Sequence, residues 1–395
     1  MAGIKIELFN GRAPKLSGRL LPEDMAQTAD NVKLESGQLR PWKDNQDQSK
    51  SFSTSTKSLF RYSSTHWFSS TSEADYVRSP IAEDPHGRVY WTGETYPKMA
   101  NSSYAVSGDS TYPGASFRLG LVRPGKPTPA ITGTANDGAE EQNIAYVVTW
   151  VSTYGEESIP SVVTTADIVD YSAGQTRTIT FPSQPTGSYA TTSGKWRLYR
   201  TNVNGEFQHV IDAAFGTTTY VDAVSDSNLG ELLQTTTWEA PPDETTADHP
   251  DGQMEGLVSL PNGILAGFSG QTVCLCEPFM PHAWPKEYQL TTKDDIVALC
   301  AVGSGLLVVT KNKPNLIAGS DPASMSMVEM DSNQSCVSKR SMVDMGDYAI
   351  YASPDGLVMA GAQGIRVATE DLITRDQWQA LVPSSIHGFS MREGT

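Results

Sequence analysis

The stretch W-R-L-Y-R-T-N-V-N-G-E-F-Q-H-V-I-D-A-A-F-G-T-T-T-Y-V-D, residues 196–222, decides how the rest of the chain is read. Trp196, Leu198 and Arg200 alternate with Arg197, Tyr199 and Thr201, which is the period of a strand with one buried face. The N-G pair within residues 202–205 is a tight-turn signal and joins 196–201 to 207–211 as a hairpin. T-T-T-Y-V-D then supplies a further strand. Working outward, I-A-Y-V-V-T-W-V-S-T (144–153), S-V-V-T-T-A (161–166) and R-T-I-T-F (177–181) read as strands of the same module.

About seven short strands in roughly 110 residues fit a two-sheet sandwich. With no Cys–Trp–Cys pattern in this stretch, the disulfide-bearing immunoglobulin variant is disfavoured and a fibronectin type III-like module remains. Composition shifts bracket it. F-R-L-G-L-V-R-P-G-K-P-T-P-A (117–130) carries three prolines and runs into polar T-G-T-A-N-D-G-A-E-E-Q, and W-E-A-P-P-D-E-T-T-A-D-H-P-D-G (238–252) is a second Pro- and Asp-rich joint.

Outside those joints the rhythm is different. S-L-F-R-Y, T-H-W-F-S-S, A-D-Y-V-R-S-P and R-V-Y-W-T-G come before them. G-L-V-S-L, I-L-A-G-F, T-V-C-L-C-E, I-V-A-L-C-A-V, L-L-V-V-T, N-L-I-A-G, M-S-M-V-E-M, Y-A-I-Y-A-S, L-V-M-A-G and R-V-A-T come after. Short strands joined by turns such as Pro261-Asn262-Gly263 and Pro354-Asp355-Gly356 are the pattern of propeller blades or meanders. One helix is expected at T-R-D-Q-W-Q-A-L (374–381), with a Thr cap and an Asp in its first turn. The N-terminal segment reads as an arm lying on something larger. One or two helical turns follow Pro22-Glu23-Asp24, a turn at Ser36-Gly37 leads into a short strand, and Leu8, Phe9, Leu20, Leu21, Val32, Leu34 and Leu39 call for burial.

The fold class expected is mainly β: a β-propeller-like domain interrupted by an inserted fibronectin type III/immunoglobulin-like β-sandwich, with an extended N-terminal arm. The boundaries are 1–50 for the arm, 51–122 for the first part of the propeller-like domain, 123–241 for the sandwich and 242–395 for the remainder.

Chemistry is sparse. Of 395 residues 38% are hydrophobic and 19% charged, and the net charge is −16 with a pI near 4.8. Nothing here is a footprint for gripping phosphates, which takes clustered Lys and Arg. Cys274, Cys276, Cys300 and Cys336 are too few for a disulfide framework and read as reduced core thiols. No charged-then-apolar leader opens the chain and no run approaches the ~18 apolar residues of a membrane span, so synthesis in a cytosol is expected. His66, His86, His209, His249, His282 and His387 show no close metal-ligand pair. His249 in A-D-H-P-D-G is explained by turn chemistry. Gly303-x-Gly305 is a hairpin turn, not a nucleotide fingerprint. Gly267-Phe268-Ser269-Gly270-Gln271 lacks the second Gly of a nucleophile elbow, and Ser353-Pro354-Asp355-Gly356-Leu357 resembles only a tight hairpin. Trp67, Trp91, Trp150, Trp196, Trp238, Trp284 and Trp378 have the option of stacking sugars, but one-sided strands place most of them in cores. No catalytic, cofactor-binding or metal residue is assigned, and no cofactor is expected.

The order of A-P-K-L and L-L-P-E-D-M-A-Q-T-A-D-N-V-K-L-E-S-G-Q-L-R-P-W, the hinge F-R-L-G-L-V-R-P, the module W-R-L-Y-R-T to T-T-T-W-E-A-P-P, and the late K-N-K-P-N-L-I-A-G-S-D-P-A-S-M-S-M and Q-S-C-V-S-K-R-S-M-V-D carries a resemblance. It resembles the tail nozzle proteins (tail tubular protein B) of short-tailed bacteriophages, over most of the chain. The resemblance implies a non-enzymatic virion structural protein of the tail, in a homohexameric ring that continues the portal and adaptor channel and conducts or gates genome DNA. Its partners would be copies of itself, adaptor or portal-proximal ring proteins, tail fibre or needle proteins, and DNA passing without sequence-specific binding. Family members continue beyond the 374–395 segment, so the strand begun before Thr395 is expected to be covered by a neighbour. Acidic residues facing a channel would keep DNA from sticking. The competing functional reading is a peripheral receptor-binding or carbohydrate-active propeller protein of the tail.

Overall fold

A computed structural model describes residues 8–33, 37–38, 40–41, 50–107, 112–245 and 247–390. Leu34, Ser36, Leu39 and Trp42 of the arm, and the start of a strand read before Thr395, lie outside the described residues. The chain is mainly β and is built from many small antiparallel sheets. It divides into two compact units: Met1–Thr56, Thr292–Gly319 and Ser326–Thr395 form one, and Lys57–Thr291 with Ser320–Met325 form the other.

In the larger unit, strands Ser58–Arg61 and Trp67–Ser70 pair as a hairpin. Two four-stranded sheets follow, each in sequential order. The first holds Asp75–Arg78, Val89–Thr92, Lys98–Ala100 and Phe117–Arg118. The second holds Glu255–Ser259, Leu265–Ser269, Thr272–Leu275 and Leu290–Thr291. Sequential order follows from the turn residues: Asn262 (φ 64°) and Gly263 (φ 77°) take the left-handed region that reverses the chain there. The two sheets share one core, in which Tyr90, Met99 and Leu119 meet Met254, Leu257, Leu265, Cys274 and Trp284. The amide of Leu257 also donates to Thr92 Oγ1 at 3.1 Å.

Between these sheets in sequence lie two three-stranded sheets. One runs Tyr146–Val151, Lys195–Thr201, Phe207–Ala214, and the other Thr219–Asp222, Thr176–Thr180, Thr128–Thr132. Glu141–Ile144 pairs separately with Val169–Ser172. Ile179, Phe181 and Tyr220 from one side and Tyr146, Val148, Trp150, Trp196 and Leu198 from the other enclose a single core. Burial of a side chain such as Leu198 stabilises by about 2 kcal/mol. The expected hairpin is present, with Gly205 at φ 82° in its turn.

Three local expectations fail here for identifiable reasons. Residues 161–166 are not a strand: Ser158 and Ser161 bond to Trp150 and Val148, but Pro160 lacks an amide and breaks the ladder, leaving Val162 and Val163 exposed. Thr128–Thr132, read as a proline-rich joint, is a strand that tolerates Pro129 because it lies at a sheet edge. The single buried face read for 196–201 becomes two: Tyr199, opposite Trp196 and Leu198, is 4% exposed, since a loop described below covers that face.

In the smaller unit, Ile296–Val302, Gly305–Thr310, Asn315–Ala318 and Ser326–Glu329 form one sequential sheet. Val343–Asp344, Tyr348–Ala352, Leu357–Gly361 and Gly364–Val367 form another. Ala298, Cys300, Val302, Leu307 and Val309 pack on Ala349, Tyr351, Val358 and Ala360. The expected helix is Arg375–Gln379, capped by Thr374 and anchored by Trp378, whose indole donates to Ser353 O at 2.8 Å. The Lys15 amide donates to Leu372 O at 3.1 Å and its ammonium to Glu370 O at 2.6 Å. No helix forms after Pro22. Ala26 is drawn into a parallel bridge with Arg12, and the Gly11 carbonyl takes the Ala26 amide. Phe9 is buried as expected, but Leu8 and Leu20 are exposed.

Candidate functional site

The chain passes between the two kinds of sheet at residues 119–122 and 239–242. A Cβ on Gly120, whose φ is +89°, would stand 2.3 Å from Pro241 Cδ and 3.1 Å from Ala240 Cα. The ingoing and outgoing strands of chain therefore touch, and only glycine fits. Arg118 reinforces the crossing through Asp243 at 3.2 Å and a bidentate pair with Glu244, its guanidinium lying 3.9 Å over the Tyr96 ring. Glu239 accepts from Lys286 at 2.9 Å.

The second attachment is the loop that follows strand Tyr146–Val151, S-T-Y-G-E-E-S. Ser152 Oγ accepts from the amides of Tyr154 and Glu156, and Gly155 takes φ 80° with open space around it. This tight turn sends three successive side chains into different neighbours. The Tyr154 hydroxyl accepts from Asn101 Nδ2 at 2.8 Å, and its ring meets His86 edge-on at 4.9 Å. Glu156, 8% exposed, accepts from Arg88 Nη1 at 2.9 Å and Ser152 Oγ at 3.1 Å. Glu157 turns back toward its own sheet and accepts from Thr149 Oγ1 at 2.6 Å, Tyr199 Oη at 2.7 Å and Arg197 Nη1 at 2.5 Å.

Charge in this joint is paired rather than solvated. Arg88 also donates Nε to Asp84 Oδ2 at 2.8 Å. Burial pushes the Asp84 carboxyl up, but the bonds from Arg88 and the His86 amide outweigh it and hold it at about 2. Burial raises Glu156 above the usual carboxylate range, with Arg88 and Ser152 pulling it back. His282, buried and edge-on to Trp238 at 5.5 Å, is driven down to about 3 by burial first and by the charge of Arg88 second, so it is neutral.

Beside Glu157 a cleft of about 310 Å³ opens, lined by Glu157, Arg197, Tyr199, His209, Glu231, Gln234, Thr235 and Trp238 among others. Arg197 and Lys195 converge on Asp212, at 2.9 and 2.5 Å, with His209 Nε2 3.1 Å away. Burial pushes Asp212 up, yet those bonds hold its carboxyl well below the usual range.

Of the residues weighed from sequence, Trp91, Trp150, Trp196, Trp284 and Trp378 lie in cores, while Trp67 and Trp238 are half-buried. All four cysteines are free and buried. Ser269 ends a strand and donates to Gly252 O at 2.7 Å, and Ser353 organises a turn. No group of acidic, His and Cys side chains suited to a metal occurs among the described residues. The joint residues Arg88, Tyr154, Glu156 and Glu157 were missed by sequence reading. The only signal was two consecutive acids straight after a turn glycine in a strand-rich run.

No protein-family model matches the chain, and no curated protein matches it. Among solved structures it is similar to selenomethionine-substituted virginiamycin B lyase from Staphylococcus aureus, at 10% identity and a TM-score of 0.25, over 74% of this chain and 73% of that one. It is also similar to apo AztD from Citrobacter koseri, at 10% identity and a TM-score of 0.23, over 70% and 67% of the two chains.

Proposed function

We propose that the chain is a structural protein of a phage tail that assembles as a ring around a channel for genome DNA. In this reading residues 123–241 are a sandwich-like module inserted into a propeller-like strand series. Four sequential four-stranded meanders support the propeller-like half, and the shared core of the two three-stranded sheets supports the sandwich. The order of sequence segments resembling tail nozzle proteins supplies the identity of the assembly.

The observation that carries the reading is the joint. A ligand-presenting bead needs only a linker, whereas this module leaves and returns through one crossing at Gly120 and Pro241 and is pinned again through Arg88 and Glu156. Two fixed attachments transmit load, as a wall around pressurised DNA must. The acidic balance of the chain serves the same end, since a channel that attracted phosphates would retain the genome. Neighbouring copies, an adaptor ring and fibre or needle proteins are the partners this role requires.

Electron microscopy of phage particles decorated with antibody to this chain tests the role. Label at the tail axis below the capsid vertex is expected. Label confined to fibres, or absent from intact particles and disrupted tails alike, would overturn it.

A further inference from the structure

We propose that the cleft beside Glu157 binds a neutral saccharide. At about 310 Å³ the cleft reaches the lower end of the range of small-molecule sites, roughly 300–1,000 Å³. Its lining combines apolar and hydrogen-bonding side chains: Trp238 and Leu232 with Gln234, Thr235, His209 and Glu231. Thr235 is only 3% exposed, and its hydroxyl oxygen has no hydrogen-bond partner. A buried hydroxyl left unpaired costs about 1–3 kcal/mol, and a ligand hydroxyl in the cleft would recover part of that.

Charge narrows the ligand class. Glu157 and Arg197 already neutralise each other, and Arg197 is shared with Asp212. With Glu231 added the lining carries no excess of positive charge, so phosphates and nucleotides gain nothing there. A polyhydroxylated ring matches what remains: mixed donors and acceptors, with an apolar face for an indole. The inference is independent of the ring assembly, because every lining residue belongs to one copy of the chain.

Titration of the full chain with methyl glycosides of glucose, galactose, mannose, N-acetylglucosamine and N-acetylgalactosamine, followed by tryptophan fluorescence and calorimetry, tests this. At least one should saturate with a Kd on the order of 1 mM. Thr235→Val and Gln234→Ala, each with an unchanged unfolding midpoint, should weaken that binding about tenfold or more. Three results would overturn the proposal: no saturation with any of the five at ~100 mM, roughly a hundredfold above the expected Kd, binding unchanged in both variants, or equal binding of inorganic phosphate. Occupation of the cleft by a second copy, seen as sugar-insensitive protection of Gln234 at high protein concentration, would also overturn it.

Discussion

The sheets spanning residues 128–222 and those spanning 296–367 solve the same packing problem by opposite means. In the second pair the core is Ala, Val, Leu and two thiols, with Tyr351 placing its hydroxyl on Gln334 O at 2.6 Å. In the first pair the aromatic core is bordered by buried charge. Arg200, wholly buried, pairs with Asp222, which also accepts from Tyr146 Oη at 2.6 Å and lies 3.5 Å from Arg177 Nε. Apolar packing tolerates volume-conserving substitution, whereas a buried ion pair that loses one partner is strongly destabilised. The region attached through the joint is the one built from directional contacts.

The largest effect should come from removing one partner of the buried pair. Arg200→Met leaves Asp222 without its main counter-charge and should cost about 3–5 kcal/mol in urea unfolding, most of it recovered in the double variant with Asp222→Asn. A cost near that of a surface substitution would erase the contrast between the two regions.

Acid should attack the joint early. His282 has an unfolded pKa of 6.5 and a folded value of about 3, so below pH 6.5 the unfolded chain binds the extra proton. The His282 contribution is full above that pH and should fall by about 3 kcal/mol by pH 4, while Glu156, raised by burial, acts with the opposite sign as pH falls. Asp84, lowered from 3.8 to about 2, adds its loss only below pH 4. His282→Gln should flatten the window between pH 4 and 6.5, and an unchanged slope would place the early loss elsewhere.

Arg88→Met strands Asp84 and Glu156 and should cost about 3 kcal/mol. Its more telling readout is hydrogen exchange: amides of residues 152–158 should lose protection while those of Leu357–Gly361 keep theirs. On the apolar side, Cys300→Val is nearly volume-conserving and should cost less than about 1.5 kcal/mol. The smallest response is that of the native thiols. Burial pushes Cys274, Cys276 and Cys300 up to about 12 and Cys336 to about 11, so a thiol reagent at pH 8 should label none of them until the chain unfolds.

What was legible in sequence follows the same divide. Period-two alternation and a turn glycine mark the hairpin around Gly205, and continuous apolar runs between turn residues mark the strands Ile296–Val302 and Leu357–Gly361, the last two with their bounds intact, because local pattern and burial coincide there. Thr374 announced its helix for the same reason. The joint was invisible: Arg88 and Glu156 are 68 residues apart, and no spacing rule links an arginine at the start of one strand to an acid in a distant turn. Pro129 concealed an edge strand, and Pro22-Glu23-Asp24 suggested a helix that pairing between Arg12 and Ala26 overrides. The cleft depends on the return of residues 230–238 across a sheet, a tertiary event that alternation does not encode.

The ring itself is the claim on which the functional account stands. Native mass spectrometry of the purified chain across a concentration series reads it directly. A species of six times the 42.7 kDa chain mass is the predicted result, and a monomer or trimer persisting at every concentration would contradict it.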